Sequence, residues 1–314
     1  MARILITPRS LTANPSQELA RLREAGHELV FAAPGRLPDE AELLRLVPGA
    51  AGWLAGIEPV SPAVITAADR LEIISRNGSG TDNLPMPALE ARGIRVARAL
   101  AANATGVAEL ALGLMLCACR QLHHVSHGVR HGEWPRIKGR EIAGATVGIM
   151  GAGAIGRKVA TVLVSMGAET ILHDPLTPDL GLLSGNARYA GIDDLLERSE
   201  ILTLHCPMPQ TGRPLLGAAA IARLPTGAIL INTARAGLVD EYALRAALDT
   251  GHVAAYGTDV FASEPPPPGS LAAHPRVIAT SHIGGLTEAS VQRATHMAVE
   301  ALLAHLAQRN DGAS

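Results

Sequence analysis

Thr146-Val147-Gly148-Ile149-Met150-Gly151-Ala152-Gly153-Ala154-Ile155-Gly156 is the stretch on which the fold turns. Its first five residues form a strand-type run, and from Arg157 to Met166 the pattern becomes helical. Between them stand three glycines at the first, third and sixth places of a short loop. A glycine pattern by itself is weak evidence, but here a strand leads into it and a helix leaves it, which is the context its mechanism requires. Gly151 permits a tight turn, Gly153 lets another molecule approach the backbone, and Gly156 lets helix and strand pack closely. At Ala154 and Ile155 the helix start offers free N–H groups and a positive dipole end to an anion.

The next strand-type run ends at His173-Asp174-Pro175, and Asp174 lies 18 residues past Gly156. An acid at about that distance hydrogen-bonds the ribose hydroxyls of a dinucleotide whose pyrophosphate sits on the glycine turn. Its carboxylate would repel a 2′-phosphate, so NAD is expected rather than NADP. These residues alone leave a flavin or another adenosine cofactor open.

Outward from this point, short strand-type runs alternate with Ala- and Leu-rich helical stretches, the mark of parallel sheets covered by helices. Before it the runs are Ile4 to Thr7, Glu28 to Phe31, Gly52 to Ala55, Leu71 to Ser75 and Ile94 to Val96. After it come Thr170 to His173, Ile201 to His205, Ala228 to Asn232 and Ala254 to Thr258. A single long helix is expected from Asn103 to about His131, with Asn103 as its cap, and a last amphipathic helix from Thr287 to about Gln308. The expected class is α/β: two doubly wound parallel-sheet domains, a flavodoxin-like substrate domain and a Rossmann NAD-binding domain. The first would comprise residues 1–99 plus 286–314, the second 100–285. The chain crossings near Ala99 and Gly285 would act as hinges closing a cofactor cleft.

A length of 314 residues with 47% hydrophobic content suits two cores. A net charge of −2 gives no pull toward nucleic acid or an anionic membrane. The opening Met1 to Pro8 is too short for a signal segment, and no apolar run reaches the roughly 18 residues of a membrane span. Cys117, Cys119 and Cys206 show no metal-type pairing and fit a reducing cytoplasm.

Three segments, each just after a strand-type run, carry residues suited to chemistry. They are Asn232-Thr233-Ala234-Arg235, Asp259 to Glu264-Pro265, and Thr280-Ser281-His282-Ile283-Gly284-Gly285. In open α/β sheets the carboxyl ends of the strands form the ligand crevice. Together with Arg76 to Asn83, Asn103 to Glu109, Leu204-His205-Cys206-Pro207 and Asn232 to Glu241, these motifs resemble, in order and spacing, the D-isomer-specific 2-hydroxyacid dehydrogenases. Within that family the chain looks most like phosphoglycerate dehydrogenases. The resemblance implies that Arg235, Glu264 and His282 are catalytic. It implies that Asp259 contacts the nicotinamide amide, and it places Cys206, Pro207, Thr233, Ala234, His282 and Gly284 with the cofactor. It also assigns Ser79, Gly80, Asn103, Arg235 and His282 to the substrate.

Those residue types suit reduction of a 2-oxo acid. An imidazole titrates near neutrality and can give the oxygen its proton; Glu264 would hold one tautomer, and the Arg235 fork would grip the carboxylate. Ala236 and Ser281 stand where the family commonly has Gly and Pro. Phosphoglycerate dehydrogenases often carry a basic residue in the loop after the third strand; here that loop reads Leu54-Ala55-Gly56-Ile57-Glu58-Pro59. Arg76 is the other candidate phosphate ligand, or else a brace beneath the Gly78–Gly80 turn. At 314 residues the chain is expected to leave no room for the regulatory domain that longer phosphoglycerate dehydrogenases carry. The substrate expectation is therefore a small 2-hydroxy acid, with D-3-phosphoglycerate set evenly against glyoxylate or hydroxypyruvate.

His123, His124, His127 and His131 fall on the long helix, where no carboxylate or cysteine completes a metal site, so a solvated or interface helix is expected. The resemblance suggests that this helix and the Trp134 loop form the arm of a homodimer. Two rivals are weaker. Formate dehydrogenases on this fold carry glutamine where Glu264 stands, and NAD-sensing corepressors usually add disordered tails, which this chain is expected to lack.

Overall fold

A computed structural model describes residues 1–177, 179, 181–183 and 186–311. It contains two compact units, Met1–Asn103 with Thr287–Ser314, and Ala104–Leu286. The first boundary falls at Asn103 rather than at residue 99. Ala99 donates its N–H to Gly78 O at 3.1 Å, and Arg293 of the last helix donates Nε to Ala102 O at 2.9 Å, tying the crossing to the first unit. Residues 312–314 of the expected first domain lie outside the described residues.

The first unit holds a parallel sheet of β1 (Arg3–Ile6), β2 (Glu28–Phe31), β3 (Gly52–Ala55), β4 (Ile73–Arg76) and β5 (Arg95–Arg98) in the order β2-β1-β3-β4-β5. That is the flavodoxin-like order. With both faces covered, its central strands can be apolar throughout, and every residue of β3 and β4 is buried. Side chains alternate between faces: Leu5, Trp53 and Ile74 join one cluster, while Ile4, Ile6, Leu54 and Ile73 join the other. Local signals start the helices. Asp39 accepts from Glu42 N at 2.8 Å to cap Glu40–Leu46, and Ser61 with Pro62 opens Pro62–Ala67.

The last helix, Glu288–Asp311, belongs to this unit and lays Ala298, Val299, Leu302 and Leu306 on the second face. Gly52 makes room for it, since a Cβ there would stand 3.1 Å from Leu302 Cδ2.

The second unit holds, among the described residues, β6 (Thr146–Met150), β7 (Glu169–His173), β8 (Ala187–Tyr189), β9 (Ile201–Leu204), β10 (Ala228–Asn232), β11 (Val253–Thr258) and β12 (Val277–Ala279). All pair in parallel, in the order β12-β11-β10-β9-β6-β7-β8. This is the Rossmann order with one strand added. The sequence pattern gives no run for β8, which has only three residues with an arginine at its centre.

The long helix expected from Asn103 to His131 is two helices, Ala104–Arg120 and Leu122–Arg130, bent by 67°. Gln121 breaks it, adopting left-handed φ and ψ of 49° and 40° without any proline or glycine to announce the stop. No single helix among the described residues is long and apolar enough to cross a membrane.

Leu302 is fully buried on the sheet, so Leu302→Ala is expected to destabilise the protein by about 2–5 kcal/mol. Urea unfolding measures this; a change under 1 kcal/mol would show that the last helix is not seated through Leu302.

Candidate active site

The glycine turn closes as its residues require. Gly151, at φ +102°, donates its N–H to His173 O at 2.8 Å, and a Cβ there would lie 2.7 Å from the His205 carbonyl. A Cβ on Gly156 would lie 1.9 Å from Gly151 O, so only glycine lets this helix sit on β6. Gly153 differs: a Cβ there would meet nothing within 4 Å. Its space is open, and it forms the N-cap of helix Ala154–Ser165 with no side chain covering the helix start. The open backbone and helix end fit a pyrophosphate.

Asp174 stands at the end of β7, half-buried, accepting from Ala152 N (Oδ2, 2.8 Å) and Leu176 N (Oδ1, 2.9 Å). It therefore ties the glycine turn to the neighbouring strand, and each oxygen keeps lone-pair capacity for a hydroxyl.

After β9 come His205, Cys206 and Pro207. Burial pushes the Cys206 thiol up to about 11, so it stays protonated and acts as a small apolar wall. Burial likewise pushes His205 down to about 3; its Nε2 meets Thr203 Oγ1 at 2.9 Å and its Nδ1 is sealed from solvent.

After β10 the chain is shaped by Asn232, to which sequence reasoning assigns no role of its own. Fully buried, it donates Nδ2 to Arg235 O at 2.8 Å and accepts from Ala234 N at 3.0 Å. This bracket turns Thr233, Ala234 and Arg235 over the sheet edge. The half-buried Arg235 donates Nη1 to Ala234 O at 2.7 Å. An asparagine at a strand end, able to bond the backbone two and three residues on, was the available signal.

The β11 and β12 ends meet at Asp259. Buried at 2% exposure, its carboxylate accepts from Thr280 Oγ1 (2.6 Å), Ile283 N (2.8 Å) and Gly284 N (2.8 Å). Between those donors lies His282 in the left-handed region at φ +56°. The acid linked by resemblance to the nicotinamide thus also holds the backbone on either side of the histidine.

His282 Nδ1 lies 2.9 and 2.8 Å from the two Glu264 carboxylate oxygens. Glu264 in turn accepts from Phe261 N at 3.3 Å. An Nδ1–H donated to the carboxylate leaves Nε2 as the working nitrogen. The trio Arg235, Glu264 and His282 all belong to the second unit, on loops leaving β10, β11 and β12.

The residues assigned to the substrate from the other end of the chain sit in the first unit. Ser79 donates Oγ to Ala99 O at 3.0 Å, fixing the Gly78–Gly80 turn, and Asn103 directly precedes helix Ala104–Arg120. Arg76 is buried at 7% exposure beneath that turn, where a Cβ on Gly78 would stand 3.0 Å from its Nη1. This is the brace arrangement. Sequence reasoning gives Glu58 no role, yet it is fully buried. It accepts from Thr7 Oγ1 and from Gly56 N, while Asn83 Nδ2 donates to its carbonyl at 2.7 Å. Burial pushes its carboxyl up, against the pull of Thr7, backbone N–H groups and Arg76.

Residues 112–284 match the family model described as "D-isomer specific 2-hydroxyacid dehydrogenase, NAD binding domain". A D-3-phosphoglycerate dehydrogenase of Mycobacterium leprae is 38% identical over 82% of this chain, which spans only 49% of that relative's length. A hydroxypyruvate reductase of Thermotoga maritima is 34% identical over 85% of this chain and 89% of its own. Among solved structures, the TT0316 protein of Thermus thermophilus superposes with a TM-score of 0.87 at 33% identity, covering 98% of this chain and 97% of its own. A glyoxylate reductase from Paecilomyes thermophila gives 0.85 at 27%, covering 96% and 94%.

The His205 ring generates a pH prediction. Its folded pKa of about 3 lies below an unfolded value of about 6.5, so the unfolded chain takes the proton first. Stability from this site is complete above about pH 6.5 and is lost as pH falls toward 3, by at most about 1.4 kcal/mol per pH unit. Urea unfolding at pH 7 and 4.5 should show a shallower pH loss in His205→Gln; an equal slope would refute the assignment.

Proposed function

The chain belongs to the D-isomer specific 2-hydroxyacid dehydrogenase family, and we propose that it interconverts a small D-2-hydroxy acid and its 2-oxo acid with NAD(H). The observation that carries this is the His282–Glu264 pair, held at the strand ends beside Asp259 and sharing its unit with Arg235 and the glycine turn. The open Gly153 backbone and the fixed Asp174 carboxylate fit NAD(H), with Gly151, Ala154, Ile155 and Gly156 shaping the pyrophosphate cradle. NAD(H) supplies the hydride to the carbonyl carbon, or takes it back.

The remaining work falls to side chains. His282 Nε2 gives the carbonyl oxygen its proton during reduction and takes the hydroxyl proton during oxidation. Glu264 stabilises the imidazolium and fixes the tautomer. Arg235, permanently charged, grips the carboxylate and polarises the carbonyl.

Within the 2-hydroxy acids the reading we favour is an unphosphorylated one, hydroxypyruvate or glyoxylate. The loop after β3 contains no cation, and its one acid, Glu58, is locked inward. The likeness to a hydroxypyruvate reductase over nearly its whole length supports the same reading. D-3-phosphoglycerate is the second reading, favoured by the identity to enzymes of that name.

We place the protein in the cytoplasm as a homodimer. Supporting the dimer, the helix Leu122–Arg130 and the segment after it leave Leu122, Val129 and Trp134 exposed, Trp134 at 81%.

NADH oxidation should proceed with hydroxypyruvate or glyoxylate at higher kcat/KM than with 3-phosphohydroxypyruvate, and His282→Ala should lower kcat by at least a hundredfold with NADH binding unchanged. Turnover retained by His282→Ala would refute the proton role, and no turnover on any 2-oxo acid would favour a dinucleotide-sensing protein. In sedimentation equilibrium at micromolar concentration the expected mass is twice 32.6 kDa; a monomer would refute the dimer.

A further inference from the structure

The first unit carries a buried carboxyl to which the proposed reaction gives no part, that of Glu58 in the loop after β3. Its Oε1 accepts from Thr7 Oγ1 and from Gly56 N at 2.9 Å. Its Oε2 is sealed from solvent and meets no donor among the described residues. Trp53 Nε1 donates to the same threonine hydroxyl at 2.8 Å, so a line of hydrogen bonds runs from the core into the loop. Gly56 lets the side chain fold back, since a Cβ there would stand 2.6 Å from Glu58 Oε2 and 3.0 Å from Pro8 Cα. Burial with one oxygen unmet is costly, and it pushes the carboxyl up, which favours the uncharged form. A glutamate on the outside of the loop would escape that cost. What the buried one supplies is a fixed loop.

This loop is stapled to the one after β4. Asn83 Nδ2 donates to Glu58 O at 2.7 Å and to Gly56 O at 3.3 Å, and Asn83 O accepts from Val60 N at 3.0 Å. At the other end Asn77 donates its N–H to Ala55 O at 2.8 Å. Ser79 and Gly80 lie between those two attachments, so the turn they form is hung from the segment that Glu58 holds.

We propose that Glu58 is a positioning residue: through Gly56 and Asn83 it sets the turn whose Ser79 and Gly80 N–H groups receive the substrate carboxylate. This rests on the proposed reaction and on the place that the resemblance gives Ser79 and Gly80. Glu58 touches no reactant, and it acts through an acceptor oxygen rather than through a charge. The substrate carboxylate is the same in the bound 2-oxo acid and in the transition state. A displaced turn therefore weakens both alike, raising KM and sparing kcat.

The test is steady-state kinetics of the full chain with NADH and whichever of hydroxypyruvate, glyoxylate and 3-phosphohydroxypyruvate the wild type reduces best. Glu58→Ala is expected to raise KM about tenfold, with kcat within about threefold. NADH affinity should stay unchanged, because the glycine turn lies in the other unit. Glu58→Gln keeps an oxygen for Thr7 and Gly56 N, and its KM should stay within about threefold of the wild type. Leu302→Ala weakens the same unit without touching the loop and should leave KM alone, which separates positioning from mere stability. Asn83→Ala cuts the staple and should reproduce the rise; it serves if near-ultraviolet circular dichroism shows Glu58→Ala unfolded. An unchanged KM in the folded Ala variants of the loop would overturn the proposal. So would an equal rise in Leu302→Ala, or a Glu58→Gln enzyme as impaired as Glu58→Ala. A wild type that reduces no 2-oxo acid would overturn the proposed function and this inference with it, an outcome distinct from a working enzyme whose KM ignores Glu58.

Discussion

The candidate site hangs on one buried carboxylate. Asp259 collects a hydroxyl and two backbone N–H groups from the loop after β12, and by doing so fixes that loop to the end of β11. A non-glycine residue in the left-handed region costs about 1–3 kcal/mol, which is the strain His282 carries at φ +56°. Each hydrogen bond to a charged group contributes about 1.5–3 kcal/mol, so three of them outweigh the strain. Without the bracket the loop would relax, and the imidazole would lose its direction before it lost its chemistry. In the proposed reaction the direction of the imidazole thus depends on a carboxylate that moves no proton itself.

The same economy runs through the strand ends. Each sheet reverses its strand order beside its first strand, and the groups that matter cluster where the chain leaves the carboxyl ends. Short polar side chains do the shaping there: Asn232 after β10, Asp174 after β7, Asp259 after β11, and Thr7 with Glu58 beside β1 and β3. Each accepts from or donates to backbone of its own or a neighbouring loop, so a loop with no regular structure is held to the sheet edge. These residues are buried or half-buried because they replace water for backbone groups that regular structure does not satisfy.

This explains what was legible before any coordinates. The glycine turn, Asp174, Arg235, Glu264 and His282 could be singled out because the roles proposed for them need particular residue types at particular spacings. Gly156, where a Cβ would stand 1.9 Å from a carbonyl oxygen, tolerates no substitute, and such intolerance leaves a visible pattern. Asn232 and Glu58 were hidden, since an asparagine or glutamate in a loop looks solvated until its partners, up to 51 residues away, are known. The break at Gln121 was hidden for the opposite reason: nothing in the residue itself announces the left-handed conformation it adopts. β12, only three residues long, adds its Val277-Ile278-Ala279 to the edge that β11 offers.

The exposure of the His282–Glu264 pair decides what the pair is for. The two side chains are 54% and 38% exposed, and an ion pair so open to water contributes no more than about 1 kcal/mol to stability. A protein selecting for stability alone would gain little by holding the imidazole against both oxygens of one carboxylate. Accepting from Phe261 N as well, Glu264 is positioned with more care than its energetic yield explains. A glutamine of the same shape could hold one tautomer through its carbonyl oxygen, yet it would leave the imidazolium without a counter-charge. In the proposed reaction the carboxylate matters at the moment the histidine is charged, when a proton has been taken from a hydroxyl or is about to be given to a carbonyl. The pair therefore fits the proposed reaction, in which a proton moves with the hydride, better than the oxidation of formate, which gives no proton to a base.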